Sequence, residues 1–232
     1  MEKLETFVKN YWSYYLRLEA KFLTTLNYVE FDAHNFKTYS FEYLNLLLSV
    51  CSEIDVVGKM MAHEKNPDYK PDDKKNNIYK WWVEIQDAFQ TGGKSLTEQE
   101  VKFFDTATLT PWKKFRIEIT TNQKGYKNVR LVQSPKAETP AWWRIHNKIK
   151  HNRTNKIDTT DKANYTEANL INVANAFAGL YVLEHSFMKS IGTETEDELK
   201  LVGRSKLFEK EGKLICSVRE EILEMDDKEV IS

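Results

Sequence analysis

The chain has 232 residues, 41% of them apolar, with only 8 Gly and 5 Pro; that suits one folded core and leaves little of the composition of a disordered chain. The opening MEKLETFVKNYW carries early acids and no apolar run, and no apolar stretch approaches the ~20 residues of a membrane span, so the chain reads as a cytoplasmic protein without signal or anchor. Net charge is −1 but unevenly spread: Trp112 to Lys156 holds twelve Lys or Arg against two acids, Glu118 and Glu138, which leaves 22 basic and 33 acidic residues elsewhere.

Such a split marks either a nucleic-acid face or a basic segment docked on its own acidic remainder. Cys51 and Cys216 lie far apart and form no CxxC pair, so they read as reduced thiols rather than a disulfide or zinc site.

The first expected element is a long helix over 2–29, from the three-four spacing of Leu4, Val8, Tyr11, Tyr15, Leu18, Phe22 and Val29. A polar connection leads to Ser40, a candidate N-cap, and a helix that is apolar nearly all round and stops before Asn66-Pro67. After a loop over 66–77, a helix over 78–90 ends at Gly92-Gly93, and Ser95 with Glu98 forms a capping box for a short helix toward Phe104. Residues 106–139 lose the helical period. Phe115, Ile117 and Ile119 alternate with polar residues, as Val129 and Leu131 do more briefly, which suits a hairpin or an extended excursion. Thr139-Pro140 then opens a helix with the sequence AWWRIHNKIKHNR, and Thr166 caps a last one over 166–191, ended by Gly192. The fold class expected is all-α: a helical bundle over 1–192 with the excursion at 106–139, and an acidic extension over 193–232, with an apolar knot at 214–218, packed on the same domain.

Phosphate-loop, dinucleotide, zinc-protease and nucleophile-elbow patterns are missing from the sequence. His34, His63 and His185 stand alone and read as surface or satisfied core residues. The segment that carries chemistry is Trp142 to Arg153. At 3.6 residues per turn, Arg144, Asn147 and His151 share one stripe of a helix, a fixed cation, an amide and a titratable imidazole, with Lys148 at its border. Attack of an RNA 2′-hydroxyl on the adjacent phosphate needs a proton acceptor near neutral pH, which His supplies, and donors for the developing charge, which Arg, Lys and Asn supply. Neither metal nor cofactor is expected. Trp142 and Trp143 read as core anchors or as base-stacking rings. Lys148, Lys150, Arg153 and His146 read as RNA contacts or as a solvated face. Glu53 and Asp55, acids on an apolar helix, need partners, and Lys150, Arg153 or His151 would serve. His151 is thus either functional or a structural partner of those acids.

The segment resembles the HEPN domains, whose mark is Arg, four to six residues, then His, often R-N-x-x-x-H. Arg144 and His151 enclose six residues, Asn147 and His151 match the N-x-x-x-H part, and His146 stands where the tight form has arginine. The wider run Pro140–Arg153 and Ala168–Leu180, with Ser52-Glu53-Ile54-Asp55, is similar to uncharacterised bacterial HEPN-like proteins. The resemblance implies a dimeric helical bundle directed at RNA, in some members a metal-independent endoribonuclease of a toxin or phage-defence system, with Arg144, Asn147 and His151 as catalytic residues. The alternative is a non-catalytic helical module that binds a protein partner such as an antitoxin.

Overall fold

The computed structural model describes residues 2–104, 107–125, 127–133, 136–157, 161–192 and 204–209. The apolar knot at 214–218 and Cys216 lie outside them.

The long first helix is interrupted. α1 (Glu2–Phe7) runs into a π-turn (Val8–Trp12) and continues as α2 (Ser13–Leu26). The wider turn shifts the register, so that Phe7 and Trp12 enter the core while Val8 and Tyr11 are only partly covered. The Ser40 hydroxyl accepts from Tyr43 N–H at the start of α3 (Phe41–Lys65), which lies at the centre of the helical layer. α4 (Ile78–Ile85) starts at Asn77, whose side-chain oxygen accepts from Tyr79 and Lys80 N–H. Its Trp81 ring lies flat on Gly58 of α3, so close that a Cβ there would meet the ring at 2.6 Å.

The expectation of an all-α fold is overturned: the molecule is mixed α/β, with three small antiparallel sheets. β1 (Gln90–Thr91) and β2 (Lys94–Ser95) form a hairpin across Gly92 and Gly93, both at positive φ. Two glycines between strands favour this tight turn as readily as they stop a helix, which is why the sequence reads as a helix end there. The Ser95–Glu98 capping box exists but caps only a 3-10 turn, Leu96–Glu98. The chain then extends into β3 (Val101–Phe103), which pairs with β4 (Ala107–Leu109), and β5 (Ile117–Thr121) pairs with β6 (Lys127–Leu131). The side-chain amide of Gln86 docks this last hairpin on the helices, donating to the Ile117 carbonyl at 2.7 Å and accepting its N–H at 3.0 Å.

α5 (Ala141–Asn152) and α6 (Leu170–Ile191) complete the helical layer. Asn169 caps α6, and Thr166 falls in a 3-10 turn (Asn164–Glu167) before it. β7 (Phe208–Glu209) adds to the free edge of β3, held there by Glu19, whose carboxylate accepts from Lys206 and Leu207 N–H. Among the described residues no helix is long and apolar enough to cross a membrane.

Candidate functional site: the basic face of α5 and its cleft

Five tryptophans orient α5. Trp82 stacks on Trp112 at 4.3 Å, Trp112 meets Trp142 edge-on at 5.0 Å, and the Trp142 indole donates to the Pro111 carbonyl. With Trp142, Trp143, Ile145 and Ile149 buried, the opposite face of α5 must face solvent. Both tryptophans are core anchors, which resolves the choice left open between anchors and stacking rings.

Arg144, Asn147, Lys148, Lys150, His151 and Arg153 are all exposed. Five basic residues of the 112–156 segment are paired with acids: Lys114 with Glu138, Arg116 with Asp87, Arg130 with Glu118, Lys148 with Glu167 and Lys156 with Asp161. By contrast, the side chains of Lys150, His151 and Arg153 have no hydrogen bond or ion pair among the described residues. Seven basic residues of the segment have no ion pair among the described residues: Arg144 and Lys150 on α5, Arg153 directly after it, and Lys113, Lys124, Lys127 and Lys136 elsewhere. Docking of the basic segment on acids of the chain thus holds for part of it.

A cleft of about 690 Å³ opens beside α5. Trp143, Arg144, His146, Asn147 and Lys150 line one wall, Ser52 and Asp55 of α3 the floor, and Asn76, Asn77 and Tyr79 the far wall. The cleft side of α5 therefore centres on His146 and Lys150. The stripe Arg144, Asn147, His151 runs along its rim. Arg144 and Asn147 reach the cleft, and His151 does not line it. Arg144 folds back to donate to the Thr139 carbonyl at 2.8 Å, while His151 lies two turns on, about 10 Å along the axis. The three share a face, but one copy of the chain does not bring Arg144 and His151 together.

His146 is buried at the cleft wall, its ring 5.1 Å from that of Trp143, and its Nδ1 has no hydrogen-bond partner. Burial, with smaller contributions from Lys150 and His151 against an opposing one from Asp55, pulls its pKa down to about 4. At neutral pH it is an uncharged imidazole rather than a cationic RNA contact. Asp55 accepts from the Trp81 indole at 3.0 Å and pairs with Lys59 at 2.5 Å, not with Lys150, Arg153 or His151 as expected. Glu53 lies on the other side of α3, where its carboxyl interacts through space with the phenol of Tyr11 and the carboxyl of Glu184. His151 is therefore not a structural partner of either acid.

Sequence reasoning missed the far wall, Asn76, Asn77 and Tyr79. These residues sit in the 66–77 loop and the first turn of α4, and no local pattern joins them to α5. It also missed an aromatic pair beside the end of α5: Phe41, 71% exposed, stacks on Tyr165 at 5.7 Å and 11°.

No family model, curated protein or solved structure matches the chain.

Proposed function

We propose that the protein is a cytoplasmic RNA-binding protein and that a pair of copies cleaves RNA without a metal, as the HEPN resemblance implies. The observation that supports the reading is the exposure of Arg144, Lys150 and His151 on α5, with Arg153 directly after it, beside a polar cleft that Arg144, Asn147 and Lys150 line. Phosphates would lie along Arg144, Lys148, Lys150 and Arg153. His151, open to solvent, takes the 2′-hydroxyl proton, the 2′-oxygen attacks the phosphorus, and the 5′-oxygen leaves with a proton from a second acid. The amide of Asn147 and the guanidinium of Arg144 stabilise the phosphorane. Because Arg144 and His151 stand apart in one copy, a two-fold dimer supplies His151 of one copy and Arg144 of the other to each site, and solvent supplies the acid that protonates the leaving oxygen.

The test is incubation of the purified protein with total RNA in EDTA. The wild type is expected to cleave; His151→Ala is expected to lose roughly 10²–10⁴-fold in rate with its melting temperature unchanged, because the residue is exposed. Mixing His151→Ala with Arg144→Ala should restore part of the activity. Absence of cleavage with RNA binding intact would leave the second reading, a non-catalytic interaction module. One observation favours that reading: His146, at the position of arginine in the tight motif, is buried.

A further inference from the structure

We infer that the ligand of this face is single-stranded RNA and that the Phe41–Tyr165 pair is a stacking platform for one of its unpaired bases; the inference rests on the RNA-binding reading above. Phe41 is the first residue of α3, directly after its cap Ser40, and its ring contributes little to the core. A phenylalanine 71% exposed at a helix start is held in place by one neighbour: Tyr165 covers one face of its ring in near-parallel stacking, and Tyr39, itself 45% exposed, meets Tyr165 edge-on at 6.0 Å. The other face of Phe41 is open to solvent. Phe41 and Tyr165, brought together from two segments more than a hundred residues apart and braced edge-on by Tyr39, present the open ring face of Phe41 as a π-surface of the kind on which bases stack whatever their sequence.

Its place in the fold links it to the basic helix. The 3-10 turn that carries Tyr165 is fastened to the end of α5: Tyr165 N–H donates to the Arg153 carbonyl at 3.2 Å, and the Asn164 amide donates to the Asn152 carbonyl at 2.7 Å. Lys148 reaches the same turn through Glu167. Along α3, Phe41 is the first residue and the cleft residues Leu48, Ser52 and Asp55 lie in the middle of the helix, Asp55 about 20 Å from Phe41 by helix rise. A strand that starts at the cleft beside Arg144 and follows Lys150 and Arg153 ends on Phe41. Two acids, Glu42 beside Phe41 and Glu167, border the platform, and Glu167 is matched by Lys148. A duplex keeps its bases inside and offers nothing to such a ring, so the platform selects unpaired strands.

Stacking and phosphate contacts have different signatures, which makes the test decisive. Binding of a fluorescein-labelled 12-nucleotide single strand and of the corresponding duplex is measured by anisotropy across a range of KCl, for the wild type, Phe41→Ala and Phe41→Trp. The wild type is expected to prefer the single strand. Phe41→Ala should weaken single-strand binding about tenfold at every salt concentration without changing the slope, because no counterion is released by stacking, and Phe41→Trp should restore it. Equal affinity for duplex and single strand, or Phe41→Ala binding like the wild type while salt-dependent RNA binding persists, overturns the platform and leaves the RNA-binding reading standing. No RNA binding by the wild type at low salt overturns both.

Discussion

His146 is the residue whose environment departs furthest from what its neighbours in the sequence suggest. Among basic residues it reads as one more cation, yet in the fold it is a neutral ring in the core side of α5 with a pKa of about 4. A histidine whose folded pKa lies below its unfolded value of about 6.5 binds its proton more readily in the unfolded chain. Its contribution is therefore neutral above pH 6.5, and stability falls as pH drops from 6.5 toward 4, by about 3 kcal/mol. Replacement by Phe, which fills the same space without titrating, should flatten this limb of the melting-temperature profile between pH 7 and 4.5. If the two profiles run parallel, the ring takes up its proton as readily in the folded protein as in the unfolded chain. His151, five residues on, differs only in the side of the helix it occupies. That difference was legible in the helical period of the sequence, because Trp142, Ile145 and Ile149 define the buried side, and His146 lies next to it.

At the scale of elements, the packing of α6 on α3 buries an acid. Glu184 is fully buried, and both its carboxylate oxygens lack a hydrogen bond among the described residues. Burial, then the nearby Glu53 carboxyl, holds its pKa well above the ordinary carboxylate range, and burial raises that of Glu53 as well. Tyr11 of the π-turn, also raised by burial and Glu53, faces the pair from the third element. The sign is opposite to that of His146. A carboxyl whose folded pKa is raised stabilises the fold below its unfolded value near 4.5, and the benefit is lost as pH rises through the folded pKa. Glu184→Gln, neutral at every pH, should melt at a higher temperature than the wild type at pH 8 and close to it at pH 4. A variant that melts lower than the wild type at pH 8 would mean that the carboxylate has a partner.

Element boundaries show what the sequence carried and what it did not. α3, α5 and the end of α6 follow from local signals, namely Ser40 as cap, Pro140 before the helix and Gly192 after it. The β5–β6 hairpin followed from the alternation of Ile117 and Ile119 and of Val129 and Leu131, whereas the other strands did not, because each is two or three residues long, too short for alternation to register, and β3 and β7 are partners from segments about a hundred residues apart. The π-turn was hidden because its extra residue leaves the apolar spacing of the first helix nearly intact. The cleft and the aromatic platform are products of tertiary contact alone; Phe41 and Tyr165 have nothing in their local sequence to connect them.

For the whole molecule, a net charge of −1 conceals a division of labour. Ion pairs spend much of the basic segment on its own fold, and exposed pairs of this kind add little stability, roughly 0–1 kcal/mol each. Among the basic residues they leave open are Arg144 and Lys150 at the rim of α5, the residues proposed to bind RNA phosphates. The direct measurement is the affinity of a single-stranded RNA for the wild type and for a Lys148→Gln, Lys150→Gln double variant, as log K against log KCl. Each phosphate contact to a single strand contributes about −0.7 to the slope. The slope should be steep and negative for the wild type and shallower by about 1.4 for the variant, at unchanged melting temperature. A flat slope for the wild type, or identical slopes for the two proteins, would contradict it.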